Sequence, residues 1–251
     1  MGAQDARIAR ALPASAGEPG PGLIEDLVAA NHILCAERVL DGFGHVSVRH
    51  DRDANRFLLS RNMAPALVTA GDIVEFDLDG NPVNARGRPL YLEISIHGAI
   101  YKARPDVMAI VHSHSHSVIP FGVTGSRLRP VFHMAAFLGN GAPIFEIRTE
   151  AGMTDLLIRN NELGDSLARS LGDSSVVLMR GHGSTAVGNS LRQAVFRAVY
   201  AETNARLQAD ASKLGPITFL APEEAEKAAE TIDACIGRSW DLWKRNVSQG
   251  R

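Results

Sequence analysis

The chain has 251 residues, 45% of them apolar and 22% charged, with a formal net charge of −2. That length and composition suit one large globular domain with ample material for a core. The near-neutral charge excludes the basic face that nucleic acid or an anionic membrane would need, so neither is expected as a partner.

The first 22 residues include the stretch ALPASAGEPGPG. Its Ala, Gly and Pro content predicts a flexible N-terminal tail, with a single folded domain over 23–251. No signal-peptide pattern opens the chain and no apolar run reaches the ~18 residues of a membrane span, so a cytoplasmic protein is expected. From Leu23 to about Leu40, apolar residues recur at helical spacing, and Gly42 and Gly44 end the helix. Short strands follow in HVSVRH, RFLLS and DIVEFDLDG, the last closing on an Asp-Gly turn. LEISIHGAIYKARPD reads as a helix that starts near Tyr91–Glu93 and is stopped by Pro105.

VMAIVHSHSHS then passes from β-branched residues into histidines and reads as a buried strand, and APIFEI and SSVVLM are two more. A long helix follows Ser190 as its N-cap, and a last helix runs from Pro222 to Trp243. No internal repeat or linker divides the chain. The picture is an α/β fold with a central sheet flanked by helices. Cys35 and Cys235 lie far apart without CxxC spacing, which fits two buried reduced thiols and excludes a cysteine-based zinc site.

Nine histidines are present, six of them from His97 to His182. In a strand, residues two apart share a face, so His112 and His114 can present two imidazoles side by side to a metal. His116 would share that face if the strand continued, but Pro120 suggests an early end. A third ligand must come from elsewhere, and His182, set between Gly181 and Gly183 after a strand, is placed to supply it. Glu93 at the helix start offers a carboxylate that can serve as a fourth ligand or proton carrier. His97, one turn later, faces the core.

These pieces resemble the class II aldolase/adducin family over roughly 23–245. The likeness rests on GFGHVSVR, the DIVEFDLDG hairpin, the Glu93-xxx-His97 helix followed by IYKARPDVMAIVHSHS, and VVLMRGHGSTAVG. The resemblance implies a mainly antiparallel sheet between helical layers (α/β/α). It implies one divalent metal per subunit held by His112, His114, His182 and Glu93, with Glu93 as the acid/base. It also implies a homotetramer. The ligand set suits Zn2+, and the decarboxylase relatives suggest Mn2+.

Three pieces that cradle a substrate phosphate in the sugar-phosphate aldolases are altered here. They read Gly44-His45, LLSRNMAP with Ser60 and Arg61, and Pro89-Leu90-Tyr91-Leu92. Small hydroxyl and backbone donors give way to large side chains, so a phosphosugar pocket looks lost. Arg61 can pair with a carboxylate, while Tyr91 and His45 can flank a flat ring. This pattern resembles the family's decarboxylase branch, which includes the 4-decarboxylase of 3-hydroxy-2-methylpyridine-4,5-dicarboxylate. The expectation is a lyase that decarboxylates a hydroxy-aromatic or hydroxy-pyridine acid through a metal-stabilised enolate. Its substrate is a small carboxylate bound by Ser60, Arg61, Tyr91 and His116. Glu93 supplies the proton, with His45 or His116 as rivals. The alternatives are an aldolase or epimerase on a non-phosphorylated hydroxy-carbonyl compound, an adducin-like binding module without catalysis, and a cupin-type enzyme.

Overall fold

The computed structural model of the chain describes residues 13–250. Among these, seven strands form one sheet. They are β1 (His45–Arg49), β2 (Arg56–Ser60), β3 (Ile73–Asp77), β4 (Ala109–Ser113), β5 (Ile144–Phe145), β6 (Val176–Met179) and β7 (Gly183–Gly188). Their order is β3-β2-β1-β4-β7-β6-β5, antiparallel throughout except for the β5–β6 pair. Around it lie the helices α1 (Pro21–Ala36), α2 (Ile94–Ala103), α3 (Ile119–Val123), α4 (Ile147–Ala151), α5 (Asn161–Leu171), α6 (Leu191–Leu214), α7 (Pro222–Asp233) and α8 (Ile236–Ser248), with three short 3-10 turns in the connections. The expected α/β/α architecture is observed. Among the described residues, no helix is long and apolar enough to cross a membrane.

The strand period of two splits the core between the sheet's faces. Val46, Val48, Ala109 and Val111 pack with α1, α6 and α8 in one cluster. Ile110, Val177 and Val187 pack with α2 and α5 in the other. His45, Ser47 and His112 have the parity of the second set, so all three point toward α2. The register makes His45 the cross-strand partner of His112, and Ser47 that of Ile110. Close backbone approach tightens the β4–β7 seam. A Cβ at Gly183 would lie 2.1 Å from the Ser113 carbonyl oxygen, so only glycine fits there.

Several elements differ from the sequence expectation. Helix α1 starts at Pro21 and ends at Ala36, short of Leu40. Arg38 takes φ +60, while Val39 and Arg38 donate back to the carbonyls of Leu34 and Cys35. That is a Schellman ending, with arginine where glycine is usual at a cost of about 1 kcal/mol. The expected tail is part helix from Pro21, and its residues 13–20 are tied to the sheet. Ser15 Oγ and Ala16 N donate to Glu75 at 2.6 and 2.8 Å, and Gly20 N donates to Asp51. The part of the tail before residue 13 lies outside the described residues.

Strand β4 stops at Ser113, before His114. The C-terminal helix is two helices, broken at Ala234–Cys235. Cys235 is exposed rather than buried. The long helix after Ser190 is as expected, and Ser190 Oγ accepts from Gln193 N, a cap worth about 1 kcal/mol.

Candidate functional site

Glu93 is the residue just before α2, His112 is the penultimate residue of the buried strand β4, His114 lies one residue past that strand, and His182 sits in the β6–β7 hairpin turn. These four residues converge, and one ligand atom from each lies within 4.8 Å of all the others. His182 Nε2 is 3.1 Å from His114 Nε2 and 3.5 Å from Glu93 Oε2, and His112 Nε2 is 3.6 Å from Glu93 Oε2. Donors placed tetrahedrally about 2.1 Å from a metal lie about 3.4 Å apart, so these spacings fit one ion.

The outer contacts fix which nitrogens face inward. His112 Nδ1 lies 3.2 Å from the Ser184 carbonyl and His182 Nδ1 lies 2.9 Å from the Leu156 carbonyl. A carbonyl only accepts, so each Nδ1 donates and each Nε2 turns to the cluster. His112 Nε2 is buried and has no hydrogen-bond partner among the described residues. Such an orphaned atom is costly unless something binds it, and a cation at the centre of the cluster meets that need.

Burial lowers the His112 imidazole to about 3 and also lowers His114, so both stay neutral and able to ligate. Burial pushes His182 down most strongly, but the hydrogen bond and charge of Glu93, the Leu156 carbonyl and the Asp155 charge together leave it raised. Burial pushes the Glu93 carboxyl up, yet His182, His112 and the Ile158 N–H together hold it down to about 2.

The cluster opens on a cavity of about 330 Å³. His45, Tyr91, Phe43, Asn62, Met63 and Leu157 contribute to its walls. The His45 and Tyr91 rings are 4.6 Å apart and tilted. Tyr91 Oη donates to the Met63 carbonyl at 2.8 Å and lies 3.2 Å from Ser60 Oγ, so Ser60 acts on the wall through Tyr91.

Two expected substrate contacts are placed elsewhere. Arg61 Nε donates to Asp72 at 2.7 Å and its side chain does not line the cavity. The adjacent Asn62 and Met63 line it instead. His116 is exposed and lines not that cavity but a neighbouring depression of about 470 Å³, with Arg38, Asp41 and the shared His114. The strand ends before His116 can share the face of His112.

Other residues that shape the site carried no motif. The segment around Leu156 (φ +70) serves two ligands, since the Leu156 carbonyl holds His182 and Ile158 N donates to Glu93 Oε1 at 2.8 Å. Glu202 on α6 takes the Ser115 hydroxyl, Ser117 N at 3.0 Å and Ser117 Oγ at 2.5 Å, which pins the loop carrying His114. An exposed-looking glutamate in a helix repeat gives no hint of this in the sequence.

The chain is 39% identical to the decarboxylase tropJ of Talaromyces stipitatus, over 90% of this chain and 94% of that one. It is 31% identical to the 3,4-dihydroxyphthalate decarboxylase of Arthrobacter keyseri, over 77% of this chain and 80% of that enzyme. The fold matches an aldolase II superfamily protein from Pseudomonas syringae with a TM-score of 0.77 and 23% identity, covering 92% of this chain and 95% of that one. These relatives support a lyase. Residues 25–209 match the Class II Aldolase and Adducin N-terminal domain, and the chain belongs to that family.

Proposed function

We propose that this chain is a metal-dependent decarboxylase of a hydroxy-aromatic or hydroxy-pyridine acid whose hydroxyl lies ortho to the carboxylate. The observation that carries the reading is the convergence of Glu93, His112, His114 and His182 around the orphaned His112 Nε2, beneath a wall of His45 and Tyr91. The decarboxylase relatives support the reaction type.

A divalent cation held by those four residues, Mn2+ or Zn2+, would supply Lewis acidity at the substrate's oxygen atoms. Glu93 is ionised and its Oε1 is taken by Ile158 N, so Oε2, the oxygen nearest His112 and His182, would have to leave the ion to move the proton. Oε2 takes the proton of the substrate hydroxyl and returns it to the ring carbon bearing the carboxylate. That carbon becomes tetrahedral and loses CO2, and the electron pair of the broken bond passes to the hydroxyl oxygen and restores the aromatic ring. Tyr91 and His45 hold the ring against the cluster and exclude water from one side. Phe43 and Leu92 on the cavity's rim are 70% and 59% exposed. That suits coverage by a second subunit of the homotetramer we infer.

The test is CO2 release from a panel of ortho-hydroxy aromatic and pyridine carboxylates, run beside aldehyde release from non-phosphorylated hydroxy-ketones. CO2 without aldehyde supports the decarboxylase. Aldehyde without CO2 establishes the aldolase alternative.

A further inference from the structure

Behind the cavity wall, four side chains form an unbroken line of hydrogen bonds. Tyr101 Oη lies 2.8 Å from Ser47 Oγ, which lies 2.6 Å from His97 Nδ1. His97 Nε2 in turn lies 2.7 Å from His45 Nδ1. All four residues are at most 3% exposed. The line ends at the cavity, where His45 contributes to the wall and its Nε2 has no partner among the described residues.

The direction of this line follows from counting protons. A tyrosine or serine hydroxyl has one proton to donate, and a neutral imidazole has one N–H. If Tyr101 donates to Ser47, then Ser47 donates to His97 Nδ1, and His97 must carry its proton on Nε2. That proton goes to His45 Nδ1, which leaves the His45 proton on Nε2, facing the cavity. In the opposite direction, His45 Nδ1–H starts the line and Ser47 donates to Tyr101 Oη. The phenol proton of Tyr101 would then be buried with no acceptor, since Ser47 is the only group bonded to Oη among the described residues. A buried unpaired donor carries the full cost of its lost hydration, so the first direction wins. Burial also pushes the Tyr101 phenol above its usual value, which keeps the donor proton in place.

We propose that Tyr101, Ser47 and His97 lock His45 in the tautomer that presents Nε2–H to the cavity, making His45 a hydrogen-bond donor to an acceptor oxygen of the bound molecule. Resting on the decarboxylase reading above, that oxygen is a carboxylate or deprotonated hydroxyl oxygen of the aromatic acid. Tyr101, Ser47 and His97 are positioning residues that act only through His45. The sheet supplies the alignment, because His45 and Ser47 share one face of β1 and His97 faces them from α2.

Neutron diffraction from deuterium-exchanged crystals of the zinc-loaded full chain reads the tautomers directly. The expected result is deuterium on Nε2 of both His45 and His97, with both Nδ1 atoms bare. Deuterium on His45 Nδ1, alone or together with Nε2, overturns the proposal. In Tyr101→Phe the line loses the proton that sets its direction, so deuterium at His45 should divide between the two nitrogens. Undivided Nε2 occupancy in that variant would remove Tyr101 from the account. Calorimetric titration with 2-hydroxybenzoate tests recognition without turnover. His45→Leu should bind about tenfold more weakly, as loss of a hydrogen bond to a charged group implies, and equal binding would overturn the recognition role. CO2 release is measured separately, so failure of the decarboxylase reading leaves the tautomer result standing.

Discussion

His45 and His112 are direct partners across the β1–β4 ladder, and their ring centroids lie 5.0 Å apart. One ring turns Nε2 to the ligand cluster, while the other is held from behind by His97 and forms part of the cavity wall. Strand pairing thus sets a candidate ligand beside a cavity-facing ring at a fixed spacing. A register slip of one residue in β1 would turn His45 to the opposite face and break the relation.

Glu93→Gln separates the two duties of Glu93. Glutamine keeps an oxygen for ligation but cannot carry the proton. Turnover should fall about 10²- to 10⁴-fold, while metal content measured by plasma emission stays near that of the parent chain. Full activity in the variant would remove Glu93 from proton transfer.

Glu202→Ala unpins the loop of His114. Ser115 and Ser117 lose their common acceptor, and His114 loses its fixed approach to the cluster. Metal affinity from competition with a chromophoric chelator should fall about 10- to 100-fold, the range for supports of a ligand rather than ligands themselves. Glu202→Gln, which keeps one acceptor oxygen, should recover part of the loss. Unchanged affinity in Glu202→Ala would show that the loop holds itself.

Arg61→Ala tests a role that the sequence suggests and the structure redirects. Its guanidinium is paired with Asp72 and is partly exposed, and such pairs contribute about 0–1 kcal/mol. Both kcat and KM should stay within about threefold of the parent values, which is under 1 kcal/mol. A tenfold rise in KM would mean that Arg61 leaves Asp72 to meet the substrate.

Acid should destabilise the metal-stripped chain well before its carboxylates titrate. Burial lowers His97 from 6.5 to about 3 in the folded state. Between those values the unfolded chain binds more protons than the folded one, so stability is full above about pH 6.5 and is lost as pH falls toward 3. Urea midpoints should drop between pH 7.5 and pH 5, and the drop should shrink in His97→Gln. A flat profile in the parent chain would show that His97 accepts a proton while folded.

Much of the site was legible because its ligands sit in strong local patterns. His112 follows a β-branched run whose parity fixes its face, and His182 lies between glycines that a tight hairpin needs. What escaped the sequence depends on contacts between distant segments. The Leu156 carbonyl and Ile158 N–H support two ligands from a loop with no periodicity, and Glu202 reaches 85 residues back along the chain to Ser117. Arg61 lies off the cavity wall because the segment 61–72 between β2 and β3 brings Asp72 to its guanidinium, a pairing that spacing alone does not reveal. The end of α1 was overrun because Val39 and Leu40 keep the apolar pattern after Arg38 has already reversed the backbone.

The central claim is that decarboxylation occurs at the metal cluster. It is tested most directly by stripping the chain with a chelator and restoring Mn2+ or Zn2+ stepwise while recording CO2 release from ortho-hydroxy aromatic and pyridine carboxylates. The account predicts no release from the stripped chain, recovery that saturates near one ion per chain, and no recovery in His182→Ala. CO2 release that is equal in the stripped and reloaded chains, or that survives in His182→Ala, would contradict it.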